Sequence, residues 1–392
     1  MKANGCCIDG LRFSSRHRVQ NGGDAYVTPV PSMNPVTVEF NGPSGSGEKA
    51  SSRLHVATAH RLTFFGDAER SIRGDFVDCR SRSPTRLERA SFELSLDGAT
   101  TIHIPAGVAH RFHGLGGVLV VDEFELFMPH PDRLGETWGA SGRRPPIVDL
   151  DSAPADLPVI DPDALAASEK LYEFVAAEVE GGVSAEALAS FPLAEVFDGL
   201  GGSGAPRDFG TAREWAPIEQ IDGAGWRRNI AMTRAAESDS GVVMFTAPGM
   251  LNVVDHGLSY YRHGAYGIHT CSEDRLTFLG DHRRTARLTM VDCRQGSPTL
   301  HAKLEIELHP SPDWQLIIPA GVAHALDDMG GIFTINRPRY YLDEQGRYPS
   351  EPGTVNWPLD RDDYPTFPPR LRSPSRPLIR KLLEDEITLM ES

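Results

Sequence analysis

The sequence lacks any apolar run near the 18 residues that a membrane-spanning helix needs, so a membrane partner is not expected. Basic residues are scarce beside acidic ones: 39 Lys and Arg against 54 Asp and Glu leave a net charge of −15. That balance disfavours nucleic acid, whose phosphates call for clustered positive charge, and leaves open a single anionic ligand held by a few local arginines. The five cysteines are an odd number without a CxxC pair. Cys6 and Cys7 are adjacent and make a poor intrachain bridge, while Cys79 and Cys293 fall inside apolar strand runs and read as buried thiols. MKANGCCIDG at the amino terminus has no apolar signal segment, and the cytoplasm is the expected location. There is no GxSxG, P-loop or dinucleotide fingerprint, and no strand leads into GGSGAP around Gly201.

What the chain does have is a long internal repeat. IPAGVAH at 104–110 returns letter for letter at 318–324; RLTFFGD at 61–67 returns as RLTFLGD, and VDCR at 77–80 and SPT at 83–85 return unchanged, all at the same offset of 214 residues. Residues 61–110 and 275–324 align without a gap and share 24 of 50 positions, far beyond chance for one chain. A period this long is a duplicated domain, not a solenoid unit. With 392 residues, either half is large enough to bury its own core.

Short runs of Val, Ile, Leu and Phe, broken by Gly-Asp, Ser-Pro and Asp-Gly turns, fill 54–128 and return over 215–345. Such spacing predicts a β-sandwich or barrel in each half. The 38 Gly and 30 Pro favour the same turn-rich architecture. The alternations at 25–30 and 36–40 suggest edge strands, and Gly116-Gly117 and Gly330-Gly331 a tight turn before the last strand of each half. The proline-rich stretch 129–160 is a candidate tail around the first barrel. An Asp-Pro start and helical spacing predict a helix over 161–179, followed by a second over 184–197. A short amphipathic helix is expected at 378–390. The expected layout is therefore mostly β: a first domain at 1–159, a helical linker at 160–206 and a second domain at 207–392.

In PxGxxH, at 105–110 and 319–324, Pro fixes φ and Gly frees the backbone, so His110 and His324 open a strand just after a turn. His55 and His269 form a second duplicated pair, accompanied by Arg61 and Arg275 and by Arg80 and Arg294. Histidine titrates near neutrality and can serve as base, acid or ligand. The order Leu-His, a basic residue before an apolar strand, VDCRxxSPT, then IPxGxAH resembles the dTDP-4-dehydrorhamnose 3,5-epimerase family, over 53–131 and 266–343.

The resemblance implies a tandem of two cupin-type β-jelly-roll barrels joined by a short helical segment, packed as an internal pseudo-dimer, with homo-oligomerisation left open. It implies that His55 and His269 are general bases that remove a proton beside a ketone. Arg61 and Arg275 would stand in the place of an enolate-stabilising lysine; an arginine there keeps the charge and gives up proton shuttling. His110, His324, Arg53 and Arg337 fall on the substrate side, and Asp363 or Asp362 is the expected orienting acid for His269, with Asp149 and Asp151 as options for His55. Where the family has its acid tyrosine this chain has Glu123 and Arg337, so Glu123 is the substitute acid.

His60 becomes Asp274 in the second repeat, and His113 becomes Asp327, so no duplicated metal triad is expected, and no cofactor. The expected activity is isomerisation of a keto sugar nucleotide of the dTDP-4-keto-6-deoxyhexose type. The alternatives are elimination, cyclisation or tautomerisation of a non-sugar intermediate, ligand binding without catalysis, and a metal-dependent cupin oxygenase.

Overall fold

The computed structural model describes residues 7–21, 25–43, 52–128, 147–181, 214–235, 238–246, 248–342, 353–368, 378–381 and 383–384. The chain divides into two compact units, and neither is contiguous in sequence. Unit 1 takes residues 1–16, 34–211 and 230–247; unit 2 takes 17–33, 212–229 and 248–392.

Each unit is a pair of antiparallel sheets. In unit 1 the larger sheet runs Arg12–Ser15, Asp97–Ile104, Thr58–Phe65, Val118–Met128, Val36–Asn41, Ser238–Phe245 and Ala231–Ala235. Its five-stranded partner runs Ile147–Val148, Ser52–Arg53, Val108–His113, Ser71–Asp78 and Arg89–Ser95. From Ser52 to Met128 the chain passes back and forth between these sheets, broken only by the hairpin Ser71–Asp78 with Arg89–Ser95, which is the jelly-roll path. Unit 2 repeats it with Gly225–Arg228, Trp314–Ile318, Ser272–Gly280, Ile332–Asn336 and Gly249–Asp255 in the larger sheet. Lys303–Leu308, Ala286–Asp292, Val322–Asp327, Ala265–His269 and Thr354–Pro358 form the smaller one. The cores lie between the sheets, with Leu62, Phe64, Ile72, Phe76 and Ile102 in unit 1 and Leu276, Phe278, Leu288, Met290 and Leu326 in unit 2.

The duplicated hairpins are exchanged. Tyr26–Ser32 of the first repeat pairs with Gly249–Asp255 in unit 2, and its counterpart Ser238–Phe245 pairs with Val36–Asn41 in unit 1. The expected boundaries at 159 and 206 divide the two repeats, whereas unit 2 takes 17–33 from the first repeat and unit 1 takes 230–247 from the second. Val36–Asn41 is also no edge strand: it lies between two neighbours and every residue in it is buried.

The helix over 161–179 is shorter than its pattern and runs Glu169–Gly181. Ahead of it, Ile160 bridges to Arg80, and Leu165–Ala166 adds a short strand to the end of Val118–Met128. Asp161 is hydrogen-bonded by Ser81 instead of capping a helix. Leu171 and Val175 then bury one face of the helix. No helix among the described residues is long and apolar enough to cross a membrane. The segment 184–197 and most of 378–390 lie outside the described residues; 378–381 and 383–384 are helical.

The repeated motifs build one device. The carboxylate of Asp292 accepts from Arg294 Nε at 2.9 Å, Ser297 Oγ at 2.5 Å and Thr299 Oγ1 at 2.7 Å. Asp78 does the same with Arg80, Ser83 and Thr85. The arginine stem then lies across the glycine of the IPAGVAH turn, so closely that a Cβ on Gly107 or Gly321 would meet Cγ of Arg80 or Arg294 at 2.5 or 2.8 Å. Both glycines have φ near +85°, which a side chain would strain. Their N–H groups hold the backbone carbonyls of His55 and His269, at 2.7 and 2.8 Å.

Burial opposes ionisation of Asp292, but the bonds from Arg294, Ser297 and Thr299 outweigh it and hold its pKa down to about 2. The stabilisation is therefore present above the unfolded carboxylate's value of about 3.9 and disappears as pH falls through the folded value. Asp292→Asn should cost on the order of 3 kcal/mol at neutral pH. Urea midpoints measured from pH 5 to pH 2 should fall less steeply for the variant than for the native chain. The hairpin exchange gives a second test. Residues 207–392 expressed alone leave Gly249–Asp255 as an open edge and should lack a cooperative urea transition, regained on co-expression with 1–206. A cooperative isolated fragment would count against the exchange.

Candidate functional site

In unit 1, His60 sits on Thr58–Phe65 in phase with core residues Leu62 and Phe64, and so points between the sheets. His110 reaches the same space from Val108–His113, and His55 from the segment just before Thr58. Their ring centroids are 4.5, 5.4 and 5.7 Å apart, and all three side chains are buried. Asp122 Oδ2 accepts from His60 Nδ1 at 2.8 Å, and the Val108 carbonyl lies 3.2 Å from His110 Nδ1. Protons on these Nδ1 atoms leave each Nε2 with its lone pair free to ligate. His60 Nε2 is buried with no hydrogen-bond partner among the described residues. Burial, then the neighbouring His60 and His55, pushes His110 well below its ordinary value and keeps it neutral.

Unit 2 makes the same construction with His269, Asp274 and His324. Asp274 Oδ2 is 3.5 Å from both His269 Nε2 and His324 Nε2, and Asn336 Nδ2 donates to Asp274 Oδ1 at 2.9 Å. His269 Nδ1 bonds Thr354 Oγ1 at 3.0 Å, and His324 Nδ1 faces the Val322 carbonyl at 3.5 Å. Burial lowers the His324 pKa, against the opposing pull of Asp274. In each unit the three donor atoms lie within 4.8 Å of one another. The expectation of no duplicated triad is thereby corrected: His60 and Asp274 differ in residue type but occupy one position and both offer a donor. Unit 2 differs in access. His269 is 31% exposed, and the triad lies on a cavity of about 520 Å³ shared with Asn252, His256, Tyr261 and His263. Burial foremost, then His324 and His269, lowers His263 to about 4.

The structure thus brings together His55 with His110 and His269 with His324. Arg61 and Arg275 lie one residue out of phase with His60 and Asp274, on the opposite face of their sheets. On that face of unit 1, Arg16 donates to Thr63 and Thr101 at 2.9 and 2.7 Å and pairs with Glu123. Burial, then the charge of Arg61, brings Arg16 down to about 9. Arg275 pairs with Glu273 at 2.8 Å. Glu123 therefore faces away from the histidines. Asp363 is exposed and paired with Arg361, so Thr354 and Asp274 orient His269 in its stead. Asp151 pairs with Arg111, and Asp149 caps Asp151 and Ser152. Arg337 lies over Gly249, outside the lining of the cavity. Arg53 pairs through its backbone with His110; its side chain is outside the described residues.

The sequence expectations set His60 and Asp274 aside because they differ in type, and left out Asp122, Asn336, Thr354 and the His256–His263 segment. The first four could have been found by asking whether aligned positions offer metal or hydrogen-bonding donors, not whether they are identical. His256 and Tyr261 align with Gly42 and Gly47, so the repeat carries no signal for them.

No family model matches the chain. No curated protein matches it either. Solved structures do. A dTDP sugar isomerase of Desulfovibrio desulfuricans is 20% identical, covering 33% of this chain and 83% of its own, with a TM-score of 0.21. NovW, a 4-keto-6-deoxy sugar epimerase from the novobiocin biosynthetic gene cluster of Streptomyces spheroides, is 17% identical over 45% of this chain and 92% of its own, at 0.26. The oxalate decarboxylase of Bacillus subtilis, a protein with Mn(II) centres, is 12% identical over 90% of this chain and 81% of its own, at 0.22. Scores this low leave the chemistry to the side chains.

Asp122→Ala removes the acceptor of a buried hydrogen bond and should destabilise the chain by about 1–3 kcal/mol. The measurement is the urea midpoint at neutral pH; an unchanged midpoint would show that the His60–Asp122 bond does not hold the ring.

Proposed function

We propose that the chain is a metal-dependent enzyme of cupin fold that holds one divalent first-row ion in each unit and works on a small molecule at His269, Asp274 and His324. The observation that supports this is the convergence, in both units, of three donors from separate segments within 4.8 Å. Separations of 3.5 Å from Asp274 to either histidine suit neighbouring ligands held at roughly 2.1 Å from one ion. The donor chemistry fits as well. His60, His110, His269 and His324 present Nε2 with Nδ1 turned to a partner, and His60 Nε2 is buried with no hydrogen-bond partner among the described residues. A set of two histidines and one carboxylate, or of three histidines, suits iron, manganese or zinc.

When bound, such an ion would supply Lewis-acid polarisation of a substrate oxygen and, if iron or manganese, access to redox chemistry. The chain's own part is positioning. Asn336 fixes the Asp274 carboxylate, Thr354 and the Val322 carbonyl fix the two rings, and the fold leaves one side of the set open to the cavity. A volume near 520 Å³ is that of a small-molecule site. In unit 1 all three histidines are enclosed, which suits a structural ion that contributes to folding. The reaction class that follows is an oxygenase or lyase acting on a small oxygenated compound.

Epimerisation of a keto sugar nucleotide finds less support. Arg275 faces away from the histidines, Glu123 is paired with Arg16, and no acid stands across the cavity from His269 among its described lining.

Elemental analysis of the chain, stripped with chelator and reloaded with Mn(II) or Fe(II), tests the proposal. One ion per unit is expected, with one lost in Asp274→Ala and the other in His60→Ala. Loading should raise the melting temperature by several degrees, since an ion that binds only the folded state stabilises it by mass action. A native chain that keeps no stoichiometric metal and does not respond to chelator would overturn it.

A further inference from the structure

The wall of the unit 2 cavity around His256 has no role in holding an ion. His256 follows the strand Gly249–Asp255 and is only 2% exposed. Its Nε2 bonds Thr334 Oγ1 at 3.0 Å, while Nδ1 is buried with no hydrogen-bond partner among the described residues. Burial above all, then His263, brings its pKa to about 3, so the ring stays an uncharged imidazole across the physiological range. Tyr261 packs on it at 4.9 Å between centroids, and its hydroxyl donates to the Asn21 carbonyl at 3.0 Å. His263 stands 5.7 Å beyond, edge-on to Tyr261.

The remaining polar lining is amide and hydroxyl: Asn21, Asn252, Asn336, Asn356, Thr334 and Thr354. No lysine or arginine lines the cavity among the described residues, and Asp274 is its one carboxylate. With Asp274 offsetting one of a divalent ion's two charges, a dianion such as a phosphate or a dicarboxylate would keep one charge with no basic side chain among the described lining to pair it, a costly burial. An uncharged molecule rich in oxygen meets donors and acceptors on both walls.

We infer that the unit 2 cavity takes a small uncharged compound with neighbouring hydroxyl and carbonyl oxygens, and that His256 Nδ1 recognises one of them opposite Asp274. The inference rests on the metal-dependent reading for its other anchor. His256 is here a residue of specificity, set apart from the three donors, and its removal leaves them in place.

The test is calorimetric titration of the Mn(II)-loaded full chain with dihydroxyacetone, oxalate and dTDP as probes, with metal content measured on the same samples. Dihydroxyacetone should bind at least tenfold more tightly than either anion. His256→Gln keeps a partner for Thr334 and removes the atom in the Nδ1 position; it should weaken dihydroxyacetone about tenfold at unchanged metal content and melting temperature. His256→Asn, which returns a polar atom near that position, should recover most of the loss. Loaded protein that prefers oxalate or dTDP, or that binds dihydroxyacetone equally well with His256→Gln, would overturn the inference and leave the metal reading standing. Failure of the native chain to load Mn(II) would sink the metal reading, and the inference with it. The order of the three probes on the native chain decides the matter even where a variant does not fold.

Discussion

The site depends on a buried carboxylate that is not part of it. Asp78 in one repeat and Asp292 in the other gather an arginine and two hydroxyls. The arginine, thus fixed, closes over a glycine whose N–H holds the carbonyl of the first histidine of each set. The second histidine follows three residues after that glycine, at the start of the next strand. VDCR, SPT and IPAGVAH therefore recur together because they are parts of one mechanical connection. Arginine is suited to the task in a way lysine is not: its planar fork takes both carboxylate oxygens while its stem still covers the turn.

The third donor shows how two copies of one frame diverge without losing satisfaction. At the 214-residue offset, the pair His60 and Asp122 becomes Asp274 and Asn336. In unit 1 the imidazole donates to a carboxylate behind it; in unit 2 the carboxylate has moved into the donor set and an amide donates to it from behind. His60→Asp alone would set two carboxylates against each other in a buried space, at a cost of a few kcal/mol, and asparagine at the facing position restores a donor. Together they keep the bond and keep one carboxylate per pocket.

The sequence made much of the frame legible. The gapless repeat showed two β-rich halves, the turn chemistry of PxGxxH placed His110 and His324 on strand starts, and Cys79 and Cys293 are indeed buried. Strand parity was also there to be used: Leu62 and Phe64 are core residues, so Arg61 between His60 and Leu62 had to face the other way. The resemblance to an epimerase drew Arg61 and Glu123 into one pocket with His55, where neither lies. The hairpin exchange was not legible, because Tyr26–Ser32 and Ser238–Phe245 are counterparts with equivalent partners, and local pattern cannot say which sheet receives which. The Asp-Pro pattern near 161 promised a helix cap, and tertiary pairing with Arg80 and the end of Val118–Met128 prevailed over it.

The two pockets end up suited to different work. With three neutral imidazoles in unit 1, an ion would keep its full charge at the donor set, with Asp122 acting one layer out and the protein closed around it. That is the arrangement of a site that holds. In unit 2 the carboxylate is itself a donor, offsetting part of the ion's charge, and the exposed edge of His269 meets a cavity lined by uncharged polar groups. An ion so placed exchanges ligands more readily and faces a space where a neutral oxygen compound can compete with water. Duplication supplied the same connection from carboxylate to glycine to histidine twice, and it left one donor pair and one cavity wall free to differ.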